Sequence, residues 1–373
     1  MNTLSDYLYG KASQNRIPLG GTFELSPVCN FSCKMCYVRK TPGQIAGEGK
    51  RLKDWTEWLD LARQCREAGM LYLLLTGGEP FLYPNFRQLY TELHKMGFII
   101  SINSNGTLID EETVQWLKEY APQRINLTLY GACEETYQRI CGNASGYARA
   151  CKAIDLLCGA GIPVVINASM IPENGCDLEK IIAFGRERCL NTRVATYMFP
   201  PARREGEADD SRFTPEESAD MFIRKVKCLY GAEKYPQWLR SQCESMGAVS
   251  QTGEDWGSHR EEYMRCRAGR SSFWISWEGI MTACGIVPFP IACDPFREDF
   301  SSCWQRLTGL VRSTPVLAGC ADCDKKELCK PCVAMIQAET GTTDQKAPYL
   351  CSMTRILGEK MEKELEEMTH GGE

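Results

Sequence analysis

The sequence predicts an α/β fold, a partial TIM-like (β/α)6 barrel followed by a small cysteine-rich C-terminal domain. Three observations predict it. Between residue 21 and about residue 200, six β-rich runs alternate with helix-patterned segments, the spacing of repeated βα units. Beyond roughly residue 232 the alternation stops. Residues 266–351 then hold 9 of the 21 cysteines with little helical periodicity, as expected of a domain organised by bound metal more than by a large core.

The six strands are GTFELSPV at 21–28, LYLLLT at 71–76, FIISINS at 98–104, RINLTLY at 124–130, PVVINASM at 163–170 and RVATYMF at 193–199. Helical stretches such as DWTEWLDLARQCREAG lie between them, with apolar residues three and four apart and a glycine stop at Gly69. Consecutive right-handed βα units imply a parallel sheet that curls into a partial barrel. PPARREGEADDSR at 200–212 reads as a surface loop before a helix opening at Thr214-Pro215. TRILGEKMEKELEEM reads as a solvated amphipathic C-terminal helix. The expected divisions are 1–231 for the barrel with an N-terminal extension, 232–265 for a bridging segment, 266–352 for the cysteine-rich domain and 353–373 for the terminal helix and tail.

A length of 373 residues, at about 150 per domain, gives two to three domains. An apolar fraction of 43 % is ample for a core. The formal net charge of −5 and pI of 5.6 supply no diffuse positive field for a phosphate backbone, which argues against a nucleic-acid partner. No apolar run approaches the roughly 18 residues of a membrane span, and MNTLSDYLYGKASQNR has no signal-peptide core. The expectation is a cytoplasmic chain with no membrane partner. In a reducing compartment 21 cysteines point to metal instead of disulfides. With only three histidines, His94, His259 and His370, sulfur is the natural ligand.

Directly after the first strand, CNFSCKMCY sets Cys29, Cys33 and Cys36 in a C-x3-C-x2-C loop. Three thiolates can hold three irons of a 4Fe-4S cluster and leave the fourth iron open to a ligand. The alternative, a structural zinc site, usually takes four protein ligands from paired C-x2-C knuckles.

With Tyr37 following it, this loop resembles that of the radical S-adenosylmethionine (radical SAM) superfamily, and TGGEP at Thr76 to Pro80 resembles the family's second motif. The resemblance implies that the amine and carboxylate of S-adenosylmethionine (SAM) chelate the open iron, with the backbone of Gly77, Gly78 and Glu79, leading into Pro80, receiving the amine. INLTLYG is similar to the family's fourth-strand motif. It implies that Thr128 lines the SAM site and that Arg139 pairs with the SAM carboxylate, a task suited to a planar guanidinium. Asn105 and Asn167 fall at strand ends where the family reads ribose and methionyl groups. In a barrel these positions gather at the C-terminal rim.

The C-terminal order of Cys266, Gly279, Cys284, Cys320, Cys323, Cys329, Cys332 and Cys351 resembles the SPASM extension of radical SAM enzymes, which carries two auxiliary 4Fe-4S clusters. One departure is that two residues, Lys330 and Pro331, separate the last knuckle pair where the family commonly has three. The resemblance implies an outer cluster on Cys320, Cys323, Cys329 and Cys351 and an inner one on Cys266, Cys284 and Cys332. A fourth inner ligand is either a further cysteine, with Cys293 and Cys303 nearest in sequence, or a substrate atom on an open iron. A C-x2-C-x5-C-x2-C zinc knuckle is the alternative.

Cys65, Cys151 and Cys158, on helix-patterned segments, are expected as buried small hydrophobes. Cys141 follows Arg139 closely and is a candidate hydrogen-atom donor, with packing as the alternative. The resemblance implies reductive SAM cleavage to a 5′-deoxyadenosyl radical, hydrogen-atom abstraction, a flavodoxin or ferredoxin reductant, and a ribosomally made peptide as substrate for crosslinking, epimerisation or oxidation. The cysteine loop begins at residue 29, which leaves no room ahead of it for the peptide-recognition domain of many such maturases. Gly285 follows Cys284 where sulfatase-maturing relatives carry an aspartate base, which weighs against that activity. The other readings are dehydrogenation of a small alcohol or amino sugar and, in a different class, a non-catalytic iron–sulfur or zinc protein. Exposed thiols and clusters imply oxygen sensitivity.

Overall fold

Alternation along the strands decides which way each side chain faces. Phe23, Leu73, Leu75, Ile100, Ile102, Ile125, Leu127 and Ile166 are buried toward the helices, while the residues between them are mostly polar and share the opposite face. The computed structural model describes residues 3–200, 203, 211–247, 266–286, 293–314, 320, 323, 325–329 and 332–370. Its strands are β1 (Gly20–Glu24), β2 (Tyr72–Thr76), β3 (Ile99–Ser104), β4 (Arg124–Thr128), β5 (Val164–Ser169), β6 (Asn191–Ala195), β7 (Ser272–Ile275) and β8 (Met281–Thr282). They form one sheet in the order β6-β5-β4-β3-β2-β1-β7-β8. All neighbours pair in parallel except β7 and β8. This is an open parallel α/β barrel, and each of the six expected strands is present.

Up to β6 the helices are α1 (Leu4–Asn15), α2 (Pro42–Gly47), α3 (Trp55–Glu67), α4 (Phe86–Lys95), α5 (Glu111–Glu119), α6 (Glu134–Cys141), α7 (Gly146–Gly159) and α8 (Leu178–Glu187). After β6 come α9 (Pro215–Gly247), α10 (Phe300–Ser313), α11 (Lys326–Cys329), α12 (Val333–Thr340) and α13 (Pro348–His370). Local chemistry sets the boundaries. In α3, Asp54 and Glu57 form a reciprocal capping box, and Trp58, Leu61, Ala62 and Cys65 form the buried stripe. Thr214 and Glu217 cap α9 in the same way.

Strand β6 would be an unprotected edge. Its Ala195 carbonyl accepts from the N–H of Met170, the residue just past β5, so the carbonyls of Val194 and Thr196 point outward. There α9 meets them: Lys225 Nζ donates to Val194 at 3.5 Å and Ser218 Oγ to Thr196 at 2.8 Å. Helix α9 kinks at Gly231, whose φ is +69°. It also packs Ala219, Ile223 and Leu239 against Leu357 and Met361 of α13, so one face of the terminal helix is buried.

The cysteine-rich region differs from expectation in two respects. It adds β7 and β8 to the barrel sheet, and it contains a 14-residue helix, α10. Phe300, Cys303, Trp304, Leu307 and Val311 recur at helical spacing and are buried, a periodicity masked by the surrounding cysteines. A buried carboxylate joins this region to the barrel. Glu339 of α12 accepts from Tyr197 Oη and Arg212 Nη1, each at 2.7 Å. Most of the 200–212 loop lies outside the described residues, but Arg203 is described and is not a surface residue. Cys65 is buried as expected, whereas Cys151 is half-buried and Cys158 is exposed.

Candidate cluster and cofactor site

The ends of β1, β2 and β3 are stitched together by backbone and side-chain hydrogen bonds, and the cysteine loop hangs from that junction. Gly78 N–H donates to the Ser26 carbonyl at 2.6 Å and Glu79 N–H to that of Val28 at 2.9 Å. A Cβ on Gly77 would stand 2.4 Å from Ser26 O, and one on Gly78 would stand 2.3 Å from Val28 O. The paired glycines are therefore what lets the GGEP turn lie against the strand that delivers Cys29. Pro80 is buried at the start of the short turn that follows.

Glu79 has no exposed surface. Its carboxylate accepts from Ser104 Oγ at 2.8 Å, Asn105 N–H at 2.8 Å and Phe81 N–H at 3.2 Å. Burial pushes its pKa up to about 7, against the pull of these three donors. Asn105 continues the chain of contacts, its Nδ2 donating to Asn30 Oδ1 at 2.8 Å and lying 3.7 Å from Cys29 Sγ. The second motif, the end of β3 and the cysteine loop thus form one hydrogen-bonded unit.

Burial pushes the Cys29 thiol up to about 12, and Cys33 and Cys36 lie close enough to add to that rise. Donors are aimed at the sulfurs: Phe31 N–H lies 3.4 Å from Cys29 Sγ and Arg39 N–H 3.3 Å from Cys36 Sγ. Among the described residues no three His, Cys, Asp or Glu side chains converge on a single ion. A 4Fe-4S cluster makes no such demand, because each thiolate binds its own iron. A three-thiol loop surrounded by N–H donors fits a cluster with one open iron.

The remaining candidates spread around the rim. Thr128 and Asn167 are partners in the β4–β5 register, and both are half-buried. Arg139 is exposed on α6, where Nη2 donates to the Glu173 carbonyl at 2.7 Å and to Thr136 Oγ1 at 3.2 Å. Cys141 has no exposed surface, and its side chain lies within hydrogen-bonding reach of Cys33. Tyr37 is half-buried with the Arg203 guanidinium 5.5 Å from its ring centroid.

Several residues of this site escape a reading of the motifs alone. Ile-Asn recurs at Ile102-Asn103, Ile125-Asn126 and Ile166-Asn167, with isoleucine turned to the helices and asparagine to the lumen. Asn126 Nδ2 donates to Asn103 Oδ1 at 2.8 Å, and Asn103 Nδ2 to Thr76 Oγ1 at 3.5 Å. The second omission is Glu24, fully buried on the lumen side of β1. Arg203 reaches it with two nitrogens at 2.9 Å each and also donates to the Gly285 carbonyl at 3.1 Å. A glutamate inside the apolar run GTFEL was the signal available in the sequence.

The seven C-terminal cysteines fall into two groups. Cys320 and Cys329 feel Cys323 and Cys351. Cys332 feels Cys284 and Cys266. Burial raises Cys320, Cys329, Cys266 and Cys332, and in each case a neighbouring thiol adds to it. Cys293 and Cys303 are both buried and lie against each other, the Cys293 sulfur 3.9 Å from the Cys303 carbonyl.

Comparison with known proteins agrees with this geometry. Residues 23–185 match the model of the Radical SAM superfamily. The AdoMet-dependent heme synthase of Methanosarcina barkeri is 25 % identical over 342 residues, covering 88 % of this chain and 94 % of the synthase. The antilisterial bacteriocin subtilosin biosynthesis protein AlbA of Bacillus subtilis is 30 % identical over 162 residues, 42 % of this chain. That match spans only 34 % of AlbA, about a third of its length. In fold, the chain resembles Streptococcus suis SuiB with a TM-score of 0.68 at 17 % identity, over 93 % of this chain and 81 % of SuiB. It also resembles anSMEcpe with bound AdoMet, with a TM-score of 0.68 at 17 % identity, over 95 % and 100 % of the two chains.

Residues 23–185 carry a radical SAM domain, the domain of a superfamily of enzymes that binds a 4Fe-4S cluster and SAM. More particularly, the barrel here continues into a cysteine-rich C-terminal region. Among the described residues no helix is long and apolar enough to cross a membrane.

Proposed function

We propose that Cys29, Cys33 and Cys36 hold the SAM-binding cluster, and that the chain uses it to abstract a hydrogen atom from a ribosomally made peptide. The observation that carries this reading is the hydrogen-bonded unit of the GGEP turn, Asn105 and the cysteine loop. When bound, the cluster and SAM supply reductive cleavage of the sulfonium and a 5′-deoxyadenosyl radical that removes a substrate hydrogen atom. The chain's own work is positional. Glu79 fixes the ends of β2 and β3, Gly77 and Gly78 expose backbone at the rim, and Thr128 and Asn167 line its far side. Arg139, exposed on α6, would pair its planar guanidinium with the SAM carboxylate.

Cys320, Cys323, Cys329 and Cys351 would bind an outer auxiliary cluster and Cys266, Cys284 and Cys332 an inner one. A flavodoxin or ferredoxin would supply the electron. AlbA, named for subtilosin biosynthesis, and SuiB, solved with its precursor peptide SuiA, support a peptide substrate. The heme synthase supports a second reading, oxidation of a non-peptide substrate by the same radical, because its alignment spans 94 % of its length. Anaerobic reconstitution with iron, sulfide, dithionite and SAM tests the shared chemistry. It should yield 5′-deoxyadenosine from the native chain and none from Cys33→Ala. A precursor peptide encoded beside the gene should raise that rate and emerge altered in mass; if it does neither, the peptide reading fails.

A further inference from the structure

The lumenal wall of the barrel carries more positive charge than it neutralises. On the face shared with Asn103, Asn126 and Asn167, strands β1 to β6 present one acid, Glu24, and two arginines, Arg124 and Arg193. Glu24 is already matched by Arg203, so Arg124 and Arg193 are left over. Pairing and alternation put both on that face. Arg124 precedes Asn126 by two residues, and Arg193 is the register partner of Asn167, itself the partner of Thr128. The neighbouring Val194 and Ile166 pack the other way, against the core.

Arg124 Nε donates to Asn126 Oδ1 at 3.2 Å, and among the described residues neither arginine is paired with a carboxylate. Burial, and after it the charge of Arg193, lower the pKa of Arg124, as expected of two guanidiniums that approach each other with no anion between them. Arg193 is exposed and Arg124 half-buried, so a solute in the lumen can reach both. At the N-terminal end of the same face Tyr9 of α1 stacks on Tyr72, ring centroids 5.3 Å apart, and gives the lumen an aromatic floor.

We propose that Arg193, with Arg124 beside it, binds a carboxylate of the substrate inside the barrel and makes the chain selective for an acidic substrate. The planar guanidinium fork matches a carboxylate with two parallel hydrogen bonds. An anion there also relieves the repulsion between the two arginines, so both terms favour binding. Arg193 shares its row with Thr128 and Asn167, which places the anion beside the proposed SAM site and not on the outer surface. The inference rests on the reading that the substrate enters this barrel. In a ribosomally made peptide the group would belong to Asp, Glu or the C-terminus.

Isothermal titration calorimetry on the reconstituted full chain at low ionic strength tests it, with isophthalate as the probe and neutral isophthalamide as its control. The native chain should bind isophthalate saturably and isophthalamide not at all. Arg193→Gln should weaken isophthalate binding about tenfold and Arg193→Glu should abolish it. Arg193→Lys, which keeps the charge and loses the fork, should fall between native and Arg193→Gln. Saturating SAM should leave the site available. Iron content and circular dichroism of each variant are matched to the native chain first; should Arg193→Gln misfold, Arg124→Gln decides by the same weakening. Absence of binding to the native chain, equal affinity in native and Arg193→Gln chains, or equal binding of isophthalamide overturns the proposal. Displacement of isophthalate by SAM overturns it too, because the arginine would then hold the carboxylate of SAM itself. The radical reading fails separately, by absence of 5′-deoxyadenosine from the native chain, and the calorimetry still reports on the anion site.

Discussion

Glu24 is a carboxylate with no exposed surface whose charge is matched by Arg203, a residue 179 positions away. A buried charge left without its partner costs about 3–5 kcal/mol. Arg203→Ala should therefore destabilise the chain by about 3 kcal/mol in equilibrium urea unfolding, and adding Glu24→Gln should recover part of it. Equal stability of native and Arg203→Ala chains would refute the pairing. Glu79 makes a prediction of opposite sign from the usual carboxylate. Burial lifts it from an ordinary 4.5 to about 7, so between those values the folded chain holds more protons than the unfolded one. Its contribution is full below about 4.5 and is lost as pH rises through about 7, at up to about 1.4 kcal/mol per pH unit. Urea unfolding of the cluster-free chain across that range should show the slope, and Glu79→Gln should remove its share.

At the scale of elements, the GGEP turn is a close backbone contact more than a side-chain motif. Gly78→Ala forces a methyl group to 2.3 Å from the Val28 carbonyl oxygen, and the backbone must shift to admit it. A cost of about 1–3 kcal/mol is expected, with weakened SAM binding because the turn and the cysteine loop move together. Equilibrium dialysis with SAM on the reconstituted variant measures it; undiminished binding would show that the two move independently. The cover on β6 is a second such case. Lys225 is half-buried and its pKa is lowered by that burial, yet its position is explained by the strand carbonyl it caps.

At the scale of the whole molecule, β7 joins the C-terminal region to β1 in register, and Arg203 bridges Glu24 to Gly285, the neighbour of Cys284. Cys284 is thus held on the same framework as the strand that leads into the cysteine loop. Loss of the outer set should uncouple the reaction without stopping it. Cys320→Ala is expected to retain 5′-deoxyadenosine formation and lose the modified product, as read by mass spectrometry of the substrate. Full product turnover by this variant would remove the outer set from the reaction.

The sequence by itself determined the order of six βα units, the three-cysteine loop, the GGEP turn and the caps of α3 and α9. Each of these is written in neighbouring residues, through periodicity, spacing or a capping pair, and so is readable without knowing the fold. It also held the Ile-Asn repeat and the helical spacing of α10, both masked by stronger signals beside them. The tertiary structure alone decided that Arg203 pairs with Glu24, that Asn105 meets Cys29, and that Cys293 and Cys303 lie together. Those contacts join residues on different strands and helices, and hydrogen bonding and charge depend on distances that chain order does not contain.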